Sequence, residues 1–121
     1  MRVLIIDDEE DTRAIASMSL SILGGLEVIE AENGQDGLNK AAAEQPDVIL
    51  LDMMMPIMDG PSTLEALRSH ERTRNIPVIF LTAKVMTTEI ERLKRMGAKG
   101  ILTKPFDPTM IANQMKAILE G

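Results

Sequence analysis

With 121 residues, 45% of them hydrophobic, the chain is the size of one ordinary domain and can bury about two-thirds of the surface its unfolded form exposes. A formal net charge of -6, from 19 acidic and 13 basic residues, argues against a basic face for nucleic acid or for an anionic membrane. Cys is absent and His70 is the single histidine, which excludes a disulfide framework, a thiol nucleophile, a zinc site and a Ser-His pair, and fits a reducing cytosol.

The first apolar run, Val3-Leu4-Ile5-Ile6, is too short for a signal-peptide core or a membrane span, and the acids Asp7 to Asp11 follow it. A soluble protein is expected. Strand patterns near residues 2–6, 27–30, 48–51, 78–81 and 99–102 alternate with helical patterns, which is the signature of βαβ units and a parallel sheet. The second and last strands are the most polar and suit sheet edges. Between them, Ile15, Met18, Ile22 and Leu23 mark one helical stripe, Leu38, Ala41 and Ala42 a second, and Leu64 and Leu67 a third, each expected to face the sheet. Ile90, Leu93 and Met96 mark the fourth helix, closed by Gly97. Ile111, Met115, Ile118 and Leu119 mark the fifth, with Asp107 as its N-cap and Pro108 in its first turn. Asn33-Gly34, Gln45-Pro46, Asp59-Gly60-Pro61 and Ile76-Pro77 punctuate the elements, and no repeat or linker interrupts them. Most of the ten methionines are expected to fill core gaps, while Met53, Met54, Met55 and Met58 crowd one loop.

The chemistry gathers at the carboxyl ends of the strands, where ligands collect in open α/β sheets. Asp7-Asp8 follows the first apolar run, Asp52 ends Val48-Ile49-Leu50-Leu51, Thr82-Ala83 ends Val78-Ile79-Phe80-Leu81, and Lys104-Pro105 comes after Ile101-Leu102. Glu9, Glu10 and Asp11 are ordinary first-turn acids of a helix. Three carboxylates in one pocket repel one another unless a hard cation neutralises them, and an oxygen-only, partly hydrated site points to Mg²⁺. One carboxylate is then free to attack a phosphoryl group and form an aspartyl phosphate. Lys104 and the Thr82 hydroxyl are placed to hold the phosphoryl oxygens, and Ala83 leaves room for them.

In order and spacing, Asp7-Asp8, the segment from Leu51 to Gly60 around Asp52, Thr82-Ala83 and Lys104-Pro105-Phe106 resemble the receiver domain of bacterial two-component response regulators. The resemblance covers essentially the whole chain, which is similar in size to the stand-alone chemotaxis regulators of that family. It implies one receiver domain over residues 1–121, with a flavodoxin-like, doubly wound (βα)5 fold and a five-stranded parallel sheet in order 2-1-3-4-5. It implies Asp52 as phosphoacceptor, receiving its phosphoryl group from a sensor histidine kinase or a histidine phosphotransfer protein. Mg²⁺ would be held by Asp8 directly, by Asp7 mostly through water, by Asp52 and by the backbone carbonyl of Met54. Lys104 would contact the phosphoryl oxygens, Thr82 would shift toward them on activation, and the Lys104-Pro105 bond would be cis. Residues 54 and 84 would tune the lifetime of the phosphate. The downstream partner would be met by the face of the fourth helix, fifth strand and fifth helix, in which Ile101 replaces the aromatic residue common in receivers.

Two other functions compete. A Mg²⁺-dependent phosphatase also uses an aspartyl nucleophile but commonly has a second acid two residues later, where this chain has Met54. Flavin or nucleotide binding wants amides and hydroxyls cradling phosphate after the first strand, where this chain has acids. Because the chain opens on its first strand and closes after its fifth helix, a stand-alone regulator and an excised receiver are equally compatible with it.

Overall fold

The structure is a computed structural model and describes residues 1–83 and 86–121. Among them, five strands alternate with five helices: β1 (Arg2–Ile6), α1 (Glu10–Met18), β2 (Glu27–Ala31), α2 (Gly34–Glu44), β3 (Val48–Asp52), α3 (Gly60–Ser69), β4 (Val78–Thr82), α4 (Thr87–Arg95), β5 (Gly100–Thr103) and α5 (Ile111–Glu120). A π-helical turn, Ser19–Leu23, extends α1. All neighbouring strands pair in parallel, in the order β2-β1-β3-β4-β5. The order is that of the flavodoxin-like fold implied by the resemblance to receiver domains.

The strand sequences account for their positions. β3 and β4 are buried at every residue, as unbroken aliphatic runs require when helices cover both faces of a sheet. The more polar β2 and β5 lie at the edges. Alternation along each strand divides the core in two. Leu4, Ile6, Ile49, Leu51 and Phe80 meet Ala41 of α2, Leu64 and Leu67 of α3 and Leu93 of α4. Val3, Ile5, Leu50, Ile79 and Leu81 meet Ala16 and Leu20 of the first helical segment and Ile111 and Met115 of α5.

Three expectations need correction. The stripe Ile15, Met18, Ile22 and Leu23 faces solvent, with Ile22 71% exposed, while Ala16, Ser19 and Leu20 are buried. Apolar residues lie on two faces of this segment, so periodicity does not choose between them. The sheet and α5 take the face on which the small Ala16 permits close approach. Asp107 caps a turn rather than a helix: its carboxylate accepts hydrogen bonds from the Thr109 amide (2.9 Å) and hydroxyl (2.6 Å), and α5 begins at Ile111. Finally, Met1, Met18, Met54, Met86 and Met110 are exposed, so core filling explains fewer methionines than expected. Gly97 behaves as the sequence implies, with φ of 111° just beyond α4. No helix among the described residues is long and apolar enough to cross a membrane.

Candidate functional site

β1 and β3 are adjacent and in register, Ile6 beside Leu51, so the residues that follow, Asp7 and Asp52, leave the sheet side by side. The Asp7 amide donates to the Ala31 carbonyl (3.1 Å), and Asp7 Oδ1 accepts from the Glu9 amide (2.9 Å). Arg13 donates to the Asp7 carbonyl (2.7 Å), which pins the loop from behind. Asp8 is exposed, whereas Asp7 is 1% and Asp52 5% exposed. One carboxylate oxygen from each of the three acids can be taken such that all lie within 4.8 Å of one another.

Lys104 reaches this group from beyond the edge strand β5. Its Nζ lies 3.1 Å from Asp7 Oδ2 and 3.0 Å from Asp52 Oδ1, bridging the two buried acids. The Lys104 amide donates to the carbonyl of Thr82 (2.8 Å), the last residue of β4, and the Lys104-Pro105 bond is cis, as expected. On the other side, α3 starts close against Asp52. A Cβ on Gly60 would stand 2.6 Å from the Asp52 carbonyl oxygen and 2.8 Å from the Phe80 ring, so only glycine fits without displacement. Asp59 caps α3 by accepting from the Ser62 amide (2.8 Å).

The family described as the response regulator receiver domain matches residues 3–116. The chain belongs to that family. It is similar to the protein PilH of Pseudomonas aeruginosa, at 38% identity over 99% of this chain and 98% of that protein. It is also 36% identical to the alkaline phosphatase synthesis transcriptional regulatory protein PhoP of Bacillus subtilis, covering 98% of this chain but only 48% of that protein. The structure resembles the chemotaxis protein CheY4 of Vibrio cholerae, with a TM-score of 0.90, 32% identity and 97% of both chains covered. Receiver domains are signalling switches of two-component systems, so the coarse function of this chain is established by membership.

In this receiver, burial pushes the Asp52 carboxyl up to about 6. The hydrogen bond from Lys104 opposes that rise, and the negative charges of Asp7 and Asp8 add to it. Burial also works against the Lys104 ammonium, but its hydrogen bonds to Asp52 and Asp7 outweigh burial and hold it above the ordinary lysine range. Among the described residues, one ammonium paired with these three acids leaves negative charge uncompensated. The other Asp52 oxygen, Oδ2, is buried and has no hydrogen-bond partner among the described residues. An orphaned carboxylate oxygen in a cluster of hard oxygen donors fits the Mg²⁺ that receivers bind through acidic residues.

Asp7, Asp8, Asp52 and Lys104 are thus brought together. Thr82 is buried at the end of β4, one position beyond the Asp52–Leu81 pair, and Ala83 lines a cavity of about 300 Å³ with Lys104 and Phe106. Met54 stands 78% exposed on the loop after Asp52. Lys84 lies outside the described residues. Sequence reasoning missed Arg13 and read Gly60 as punctuation before α3 rather than as the residue packed against Asp52. A glycine directly after a capping Asp is a visible signal, whereas nothing local announces that Arg13 turns back to Asp7.

Proposed function

We propose that Asp52 is the phosphoacceptor of this receiver, within one domain spanning residues 1–121, and that it takes its phosphoryl group from a histidine kinase or histidine phosphotransfer protein. The observation that carries this reading is the Lys104 bridge. It places a carboxylate at a strand end, an ammonium within 3.0 Å of it and two further acids around an orphaned oxygen. In transfer, an Asp52 carboxylate oxygen forms the new O–P bond as the P–N bond of the phosphohistidine breaks, and the imidazole leaves with that electron pair. Lys104 then exchanges its contact with Asp52 for a phosphoryl oxygen, and the Thr82 hydroxyl donates to another. Asp7, Asp8, Asp52 and the Met54 carbonyl would hold Mg²⁺, which when bound supplies the positive charge that lets an anionic donor approach three acids. Slow hydrolysis of the aspartyl phosphate resets the switch. The exposed thioether of Met54 has no proton to give a leaving group, which counts against a dedicated phosphatase.

Acetyl phosphate with Mg²⁺ should add one phosphoryl group to the wild type, read by intact mass, and chelation should prevent it. Equal labelling of Asp52→Asn would show that the acceptor lies elsewhere.

A further inference from the structure

Among the described residues, two that are not glycine take a positive φ, Gln45 at 48° and Ile57 at 69°. Gln45 has compensation. It closes α2, and its side-chain amide donates to the carbonyls of Ala41, Ala42 and Arg72. Ile57 is β-branched, a type for which left-handed backbone is an outlier, and its side chain is fully exposed at 109%. Neither burial nor hydrogen bonding by that side chain offsets the strain, and the fold alone would favour glycine here. An unfavourable conformation that displays an apolar side chain to solvent points to a use outside the fold.

Location says what that use is. Ile57 lies in the loop between Asp52 and α3, and it lines a cleft of about 480 Å³ together with Asp8, Glu10 and Glu32. We propose that Ile57 is a specificity-determining contact for the protein phosphodonor, an apolar knob that packs against the donor beside its phosphohistidine. The inference rests on Asp52 being the acceptor. A small anionic donor gains nothing from a branched side chain on the rim. A protein whose histidine reaches Asp52 would approach over the loop of residues 53–59 and cover Ile57, which stands exposed on it. With three acids against Arg13 the cleft is net acidic and attracts any cationic donor surface, so charge alone discriminates poorly among donors, and a shaped apolar contact adds the selection that charge lacks.

The test compares wild type, Ile57→Gly and Ile57→Val in two reactions. One uses acetyl phosphate with Mg²⁺; the other uses each phosphorylated histidine kinase and phosphotransfer protein encoded by the source genome. For Ile57→Gly we expect acetyl phosphate labelling within about two-fold of wild type and a thermal midpoint that does not fall. Transfer from the preferred protein donor should drop by roughly ten-fold or more, as when an interface anchor is truncated, and Ile57→Val should restore most of it. Unchanged transfer from that donor would overturn the proposal. So would parallel losses with acetyl phosphate, because Ile57 would then act on the geometry of the site rather than on a partner. If wild type itself is not labelled at Asp52, the acceptor assignment fails first and the inference falls with it.

Discussion

At the scale of single residues, Asp52 couples the site to stability. Its folded-state pKa of about 6 lies above the ordinary carboxylate range, so the folded chain binds the proton more tightly than the unfolded one. The stabilisation this gives is fully present below the unfolded pKa of about 4 and is lost as pH rises through 6. At neutral pH the charged Asp52 therefore opposes folding, by an amount on the order of 2 kcal/mol. Asp52→Asn should be more stable than wild type at pH 7 by about 1–3 kcal/mol in urea unfolding, with the gain shrinking toward zero below about pH 4. A gain that does not vary with pH would trace to packing instead. Function holds an acid where the fold would prefer an amide.

At the scale of elements, the first helix and its π-helical turn carry two apolar faces with opposite fates. Leu20 is fully buried among Val3, Ile5 and Met115, whereas Ile22, two residues later, is 71% exposed. Leu20→Ala should cost about 2–5 kcal/mol, the usual range for a buried leucine. Ile22→Ser should change stability by less than about 0.5 kcal/mol, as surface substitutions do. Equal costs in chemical denaturation would mean that the exposed stripe is covered in the free protein. Ser19 and Ser21 each donate a side-chain hydrogen bond to the carbonyl four residues earlier (both 2.7 Å), local bonding that accompanies distortion of helical backbone.

At the scale of the whole molecule, contacts connect the end of β4, beside Asp52, with the face of α4, β5 and α5 that the family resemblance implies for a downstream partner. Thr82 ends β4 and its carbonyl holds the Lys104 amide, while Ile101 of β5 pairs with Phe80 of β4 and packs partly buried against the cluster containing Leu93 of α4. A shift of Thr82 toward a phosphoryl group should therefore disturb the packing of Ile101, with a coupling of about 1–3 kcal/mol or less because no aromatic ring gates the strand. Backbone NMR shifts with and without beryllofluoride should change across residues 86–103 and 111–118 as well as in the loops of Asp7, Asp52 and Lys104. Changes confined to those loops would remove the α4–β5–α5 face from the pathway.

The sequence by itself determined the strands, their alternation with helices and the acids and lysine at strand ends, because these are properties of short segments. An aliphatic run such as Val48 to Leu51, set between helical patterns, reads as a buried parallel strand, and in an open α/β sheet the residue that follows it, Asp52, falls at the carboxyl end where ligands collect. What only the tertiary structure decided are choices between segments. Lys104 is bonded to Asp7 and Asp52 across 97 and 52 positions of chain, distances over which no local pattern reports. Asp7 and Asp8 are adjacent in sequence and both reach the cluster with Asp52, yet one is buried and the other exposed, a difference set by what packs around each and not by the local pattern. The face that α1 presents and the left-handed backbone of Ile57 were also hidden. Periodicity states that a helix has an apolar face but not which of two the sheet will accept, and the turn at residue 57 is imposed by the elements on either side of it.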